Sequence, residues 1–352
     1  MIQDLQKEVL ELKEQLSDSD KHLGEEYARK LVHTEVAAMK ARDELGFRAG
    51  ILKVPFGLYN ESRDIDSARI GVMLPQGFYS ENIREMTNDL LGISTYGALD
   101  LSTVGTLSYC LLYGGNDADS DGEIAMSFST TGLMDEDSIT EVRIDDVLAG
   151  ALTWQTPLEG MNLNLNYQTG QLEINGTRTI EYPAGSGNTI TPSARVRDNS
   201  FSNIALGFEY TWENLVIASE YRAARIRYHY TIYSGDTTLY DQQMDEIKPT
   251  GWYILASYRF TDWFATEVSY SEYWTDQNDK KGETLNASSV PMGLYGYQNT
   301  LSLNARFDIN DYWIIKAGVN FNEGFGTGYS FQQDEELKKD WTLYQLKTSV
   351  SF

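Results

Sequence analysis

The sequence predicts an all-β fold, an antiparallel barrel of about twelve strands behind an N-terminal helical segment, and three observations carry that prediction. Apolar and polar residues alternate with period two through most of the chain after Gly46, the mark of strands with one apolar face. The connections between these runs are alternately short and long. Large aromatics gather at the ends of the runs. Composition agrees, because 23 Tyr, 7 Trp and 29 Gly against 7 Pro in 352 residues suit sheet better than helix.

Residues 1–45 read as helix and form the first of two regions, with the barrel spanning 46–352. Ile2, Leu5, Val9, Leu12 and Leu16 recur at alternating spacings of three and four, a short coiled-coil pattern. The sequence "SDSD" at 17–20 supplies caps for a second helix carrying Leu23, Tyr27, Leu31, Val32, Val36 and Met39. An amphipathic helix packed on the barrel, or inside it as a plug, explains the same pattern.

Alternation then repeats. In "MNLNLNYQ", Met161, Leu163, Leu165 and Tyr167 oppose Asn162, Asn164, Asn166 and Gln168. In "NIALGFEYTW", Ile204, Leu206, Phe208, Tyr210 and Trp212 share a face, and in "TLSLNARFD" Leu301, Leu303, Ala305 and Phe307 do. Runs of this kind fall near 46–54, 93–101, 104–113, 140–154, 161–175, 203–212, 214–230, 250–260, 263–275, 298–309, 312–323 and 341–352. Turns such as "LST", "EN", "TD" and "ND" separate long loops at 55–92, 114–139, 176–202, 231–249, 276–297 and 324–340. That rhythm is the one a membrane barrel shows, with turns on one rim and loops on the other, and an even strand count puts both chain ends on the turn side.

A soluble sandwich alternates too, so the aromatics decide between the two. Trp154, Trp212, Phe260, Trp263, Trp274, Tyr312 and Trp313 stand at strand ends, where girdles at two lipid interfaces require them. Closure also removes the edges that so many strands would expose. The polar faces then line the interior. No run of 18 apolar residues offers a spanning helix, and no secretory signal is visible in the charged N-terminus.

A net charge of −24 repels phosphates and argues against a nucleic-acid partner. Cys110 is the single cysteine, which excludes an intramolecular disulfide and a cysteine-built zinc site; on the inward face it reads as a small lumenal residue. "NDADSDGE" at 116–123 opens like a calcium loop, but Phe128 stands where the twelfth position needs Glu, so it reads as a solvated acidic loop and no metal or cofactor is assigned. Two of the three histidines, His22 and His33, lie in the helical segment and no Gly-x-Ser-x-Gly elbow exists, so an outer-membrane enzyme finds little support.

"FRAGILKVPFGLYNESRDIDSARIGVMLPQGFY", residues 47–79, resembles the porins of Gram-negative outer membranes related to the phosphate-selective porins. Arg48, Gly50, Pro55, Phe56, Gly57, Leu74, Pro75 and Gln76 fit the R-x-G-x-x-x-x-P-F-G strand and the following L-P-Q loop of that group. The resemblance implies a passive channel in the outer membrane, among lipid and lipopolysaccharide, narrowed by an inward-folding loop and often assembled as a homotrimer. Members usually carry further strands before this motif, so twelve and sixteen strands both stand as expectations. A structural barrel, plugged or tethered by the helix, is the rival function.

On the resemblance, Arg63, Arg69 and Arg84 in the longest loop set a field at the constriction; as a plain surface loop they would be solvated. On the strands, Arg222, Arg306, Lys316, Arg259 and Lys347 share the inward parity with Glu209, Glu267 and Asp308. In "SEYRAARIRYHYT" a one-residue slip at Ala223–Ala224 would turn Arg225, Arg227 and His229 inward as a basic ladder. Such a ladder points to anions, and charge-balancing of lumenal carboxylates explains it equally well. The final strand sets Tyr344, Leu346, Val350 and Phe352 toward lipid and resembles the C-terminal signal read by the barrel assembly machinery.

Overall fold

The computed structural model describes residues 37–351 apart from 131, 136, 245, 284–291 and 328–337. The coiled-coil pattern of residues 2–16, the second helix up to Val36 and the terminal Phe352 lie outside the described residues.

The twelve expected strands are all present. They are β2 (Leu45–Lys53), β3 (Asp89–Asp100), β4 (Thr106–Ala118), β5 (Glu141–Gln155), β6 (Met161–Thr177), β9 (Ser193–Trp212), β10 (Leu215–Ser234), β12 (Thr250–Thr261), β13 (Phe264–Trp274), β14 (Tyr297–Asn310), β15 (Trp313–Gly324) and β16 (Asp340–Val350). Four strands were not expected: β1 (Ala37–Arg42), the small β7 (Ile180–Glu181) and β8 (Thr189–Ile190) pair, and β11 (Thr237–Gln243), which pairs with β10 beside the wall. Residues 37–42 were expected to be helix. They pair instead with β2, from Ala37 opposite Ala49 to Arg42 opposite Leu45, because a sheet edge with unpaired backbone groups outweighs a weak helical preference. Among the described residues the wall thus has thirteen strands in antiparallel succession, so β1 and β16 run in the same direction. Among the described residues each pairs on one side only.

Side-chain parity follows the predicted faces. On β6, Asn164, Asn166 and Gln168 are buried while Leu165 and Tyr167 are exposed. On β14, Gln298, Thr300, Ser302, Asn304 and Arg306 are buried while Leu301 and Leu303 face out. A polar inside and an apolar outside invert the arrangement of a water-soluble domain. Trp212, Phe260, Trp263, Tyr312 and Trp313 are exposed beside the short turns.

The wall curls. The connection from 54 to 88 places side chains and backbone against β6, β9, β10, β12, β14, β15 and β16, and one short segment can touch so many successive strands only from inside a curved sheet. β4, β5, β6, β9 and β10 run on past the wall beyond bulges at Gly114/Asn116, Asp145/Leu148, Gly170/Ile174 and Arg227/His229. There the inward face turns apolar: Val142, Ile144, Leu172, Ile174, Val196 and Tyr230 pack with Ile124 and Ala125 of helix α2 (Glu123–Thr130).

Candidate functional site

The lumen is built around residues 54–88, which leave β2 at Lys53, cross the interior and return to β3 through the short helix α1 (Arg84–Thr87). Two flanks fix the segment. Phe56 and Phe78 stack with ring centroids 5.2 Å apart, and both are buried with Val54 and Tyr79. The Asn60 side-chain amide donates to the Val54 carbonyl at 2.8 Å and the Thr87 carbonyl at 2.5 Å, tying the outgoing chain to the returning one. Asn166 on β6 accepts from the Gly57 N–H at 3.0 Å and donates to the Pro55 carbonyl at 3.2 Å. Gly57 is required here, since its φ is +73° and a Cβ would lie 2.5 Å from the Tyr79 hydroxyl.

Glu220 of β10 is the polar centre of this side. Its carboxylate accepts from the Leu58 N–H at 2.8 Å, the Tyr79 hydroxyl at 2.5 Å and the Tyr253 hydroxyl at 2.7 Å. Three donors satisfy this fully buried carboxylate. Tyr59 gives its hydroxyl to Glu209 of β9 at 2.8 Å. Burial, then the neighbouring glutamates, push the Tyr59 and Tyr79 hydroxyls above their ordinary value, so both remain donors at any working pH.

The opposite side is ionic. Arg306 of β14 donates to the Ser67 carbonyl at 2.6 Å and the Arg69 carbonyl at 3.2 Å, while also binding Asp308, which pairs with Arg259. Lys316 of β15, wholly buried, donates to the Asp66 carbonyl at 2.6 Å and the Gly71 carbonyl at 3.3 Å. Lys347 and Ser349 of β16 reach the Asp66 carboxylate at 2.8 and 2.7 Å. Burial works against ionisation of Asp66, but hydrogen bonds from Lys347 and Ser349, with the charges of Lys347 and Lys316, hold its carboxyl below the ordinary range. Asp64 behaves likewise: burial opposes, and Lys53 and Arg84 prevail. A cavity of about 280 Å³ opens here, lined by Arg63, Arg69, Arg84, Lys347, Asp64, Asp66 and Glu81 among others.

The three loop arginines therefore do meet, each with partners. Arg63 is buried and donates to the Tyr79 carbonyl at 3.1 Å and to Glu81 at 2.8 Å; Arg84 holds Asp64 at 2.7 Å; Arg69 binds Asp66 and the Arg63 carbonyl. Arg222, Arg306, Lys316, Glu209 and Glu267 face the lumen, as parity requires. Arg222 is buried, with its guanidinium 5.5 Å from the Tyr273 ring centre and its Nε unpartnered among the described residues. Glu267 accepts from Asn304 at 3.2 Å.

The basic ladder does not form. β10 pairs with β9 without interruption from Leu215 to Arg227, so no slip occurs at Ala223–Ala224. Arg225 and Arg227 are consequently exposed on the other face, Arg227 pairing with Glu246 at 3.0 Å, and His229 pairs with Asp241. Ile226, Tyr228 and Tyr230 turn inward instead, Tyr228 meeting Phe128 edge-on at 6.1 Å. Burial of these apolar side chains is favourable there, whereas three basic groups turned into the same apolar interior would lose their hydration. Tyr344, Leu346 and Val350 face outward, the first two 80% exposed. Sequence reasoning placed Glu220 on the inward face by parity alone and did not single out Tyr79, Tyr253 and Asn60.

No protein-family model matches the chain, and no curated protein matches it. Solved structures of similar shape include outer-membrane expressed OmpT of Vibrio cholerae, at 9% identity and a TM-score of 0.49, over 90% of this chain and 79% of that one. The outer membrane channel DcaP of Acinetobacter baumannii is similar at 8% identity and a TM-score of 0.46, over 88% and 74%. A Pseudomonas aeruginosa FadL homologue is similar at 13% identity and a TM-score of 0.40, over 75% and 67%. Identities this low carry no residue correspondence.

Proposed function

We propose that the chain is an outer-membrane channel of a Gram-negative bacterium that passes small hydrophilic solutes by diffusion, with a preference for anions. One observation carries this reading: the wall is apolar outside and polar inside, and its interior holds an in-folded segment lined by cations. The apolar outer face calls for lipid. The narrowing by residues 54–88 agrees with the resemblance of residues 47–79 to the phosphate-selective porins and their relatives. Arg222, Arg306, Lys316 and Lys347 supply positive charge on the lumenal wall, though Glu209, Glu220 and Glu267 stand among them. A trimer in the lipopolysaccharide leaflet, inserted by the barrel assembly machinery, completes the proposal.

The packed cluster of Phe56, Phe78, Tyr79 and Tyr253 favours a second reading, a structural barrel with a filled lumen. Conductance in planar bilayers separates the two readings. Stable open steps with a reversal potential on the anion side of a salt gradient support the channel. A folded, silent protein contradicts it, and a reversal potential on the cation side overturns the anion preference.

A further inference from the structure

The middle of the in-folded segment is held in a different way from its flanks. The flanks contribute buried apolar side chains, Val54 and Phe56 on one side and Leu74, Phe78 and Tyr79 on the other. No apolar side chain from residue 61 to residue 73 is buried; Ile65, 52% exposed, faces away from any core. What holds this stretch to the wall is a row of polar side chains from three successive strands. Arg306 and Lys316 grip four backbone carbonyls, those of Ser67, Arg69, Asp66 and Gly71, and Lys347 with Ser349 grips the Asp66 carboxylate.

These contacts have a consequence that apolar packing lacks. The Lys347–Asp66 pair, with Lys347 41% exposed beside the cavity, weakens with screening, and mobile anions that enter the cavity compete for the latch donors. The flanks, held by burial and by the neutral amide of Asn60, do not respond in that way. The carbonyl oxygens of residues 66–71 also occupy the donors in the manner of the oxygens of a small anion.

We propose that residues 63–72 are a displaceable flap, latched over β14–β16 by Arg306, Lys316 and Lys347, and that anions competing for these cations release it while the two flanks stay in place. The flap is an autoinhibitory contact. Closed, it covers Asn304 and Lys316; released, it widens the lumen and bares the cations. The consequence for flux rests on the channel reading, whereas the flap itself does not.

The test reads the flap directly. Asn304 is 7% exposed and lies under Gly71, whose added Cβ would be 3.4 Å from its side-chain nitrogen. In the full chain in lipid vesicles, with Cys110→Ser, an Asn304→Cys thiol is reacted with a charged, water-soluble maleimide. Labelling is expected to be slow at about 0.02 M KCl and about tenfold faster at about 1 M, where screening is nearly complete. At low salt, adding Asp66→Ala or Lys316→Met should accelerate it by about tenfold, the effect of losing one or two charge-assisted bonds. The salt comparison needs no latch variant, so misfolding of a variant leaves the test intact. Rates equal within about twofold at both salt concentrations, or fast labelling of the unaltered latch at low salt, overturn the flap. A silent channel with salt-dependent labelling would defeat the channel reading and leave the flap standing.

Discussion

Single residues decide how tightly the in-folded segment approaches the wall. A Cβ at Gly71 would stand 2.5 Å from Glu267 Oε1 and 2.9 Å from the Met73 carbonyl oxygen, so Gly71→Ala must displace the Glu267 carboxylate and shift the backbone of residues 71–73. We expect it to raise single-channel conductance, whereas an unchanged conductance would show that the segment closes without that approach. Asp66 makes a prediction in pH. Its folded pKa is depressed, so its contribution to the latch is complete above the ordinary carboxylate range and is lost as pH falls through the depressed value. Asp64 has the same sign. The latch should therefore hold at neutral and mildly acidic pH and open only in strong acid, as a steep rise in the mobility of a spin label attached beforehand at position 304, a readout that does not depend on the thiolate; a rise centred near pH 6 would assign control to other groups. Glu85 has the opposite sign: burial, then Asp119, Glu123 and Asp121, raise its pKa against the pull of the Ile124 N–H. At this scale the sequence was half legible. Parity placed Arg306, Lys316 and Glu267 inside correctly, because parity is local. That Arg306 and Lys316 grip carbonyls more than 230 positions away has no local signature.

At the scale of elements, β10 shows where alternation misleads. Arg225, Arg227 and His229 invited a bulge, but the ladder to β9 continues through Ala223 and Ala224, and the apolar layer of Tyr228 and Tyr230 sets the register. Cysteines at 225 and 227 should accordingly react freely with water-soluble reagents in the closed protein, and protection of both would restore the slip. The clamp of the in-folded segment makes a stability prediction. Phe78 is fully buried between Phe56 and Tyr253, so Phe78→Ala should cost about 3–5 kcal/mol and lower the temperature at which the folded, SDS-resistant form is lost. A shift absent within error would mean the flank is not packed. β1 was misread as helix because its six residues, "AAMKAR", carry no strand preference of their own; the edge of β2 supplies it.

For the whole molecule, twelve strand positions and the short-long rhythm of connections were legible because each is a local pattern repeated many times, and repetition averages out single errors. The filling of the lumen was not legible, since Phe56, Phe78 and Tyr253 meet across about two hundred residues of chain and nothing in their spacing announces it. The fold and the candidate site depend on one inversion, a polar interior and an apolar exterior, which the proposed function sets against lipid. Spin labels placed singly from 299 to 307 along β14 in reconstituted vesicles measure it directly, through collision with oxygen, which partitions into lipid, and with a water-soluble nickel complex. The account predicts a strict period of two, with 301, 303, 305 and 307 accessible to oxygen and 300, 302, 304 and 306 shielded from it. Uniform accessibility to the nickel complex, or the two sets exchanged, would contradict it.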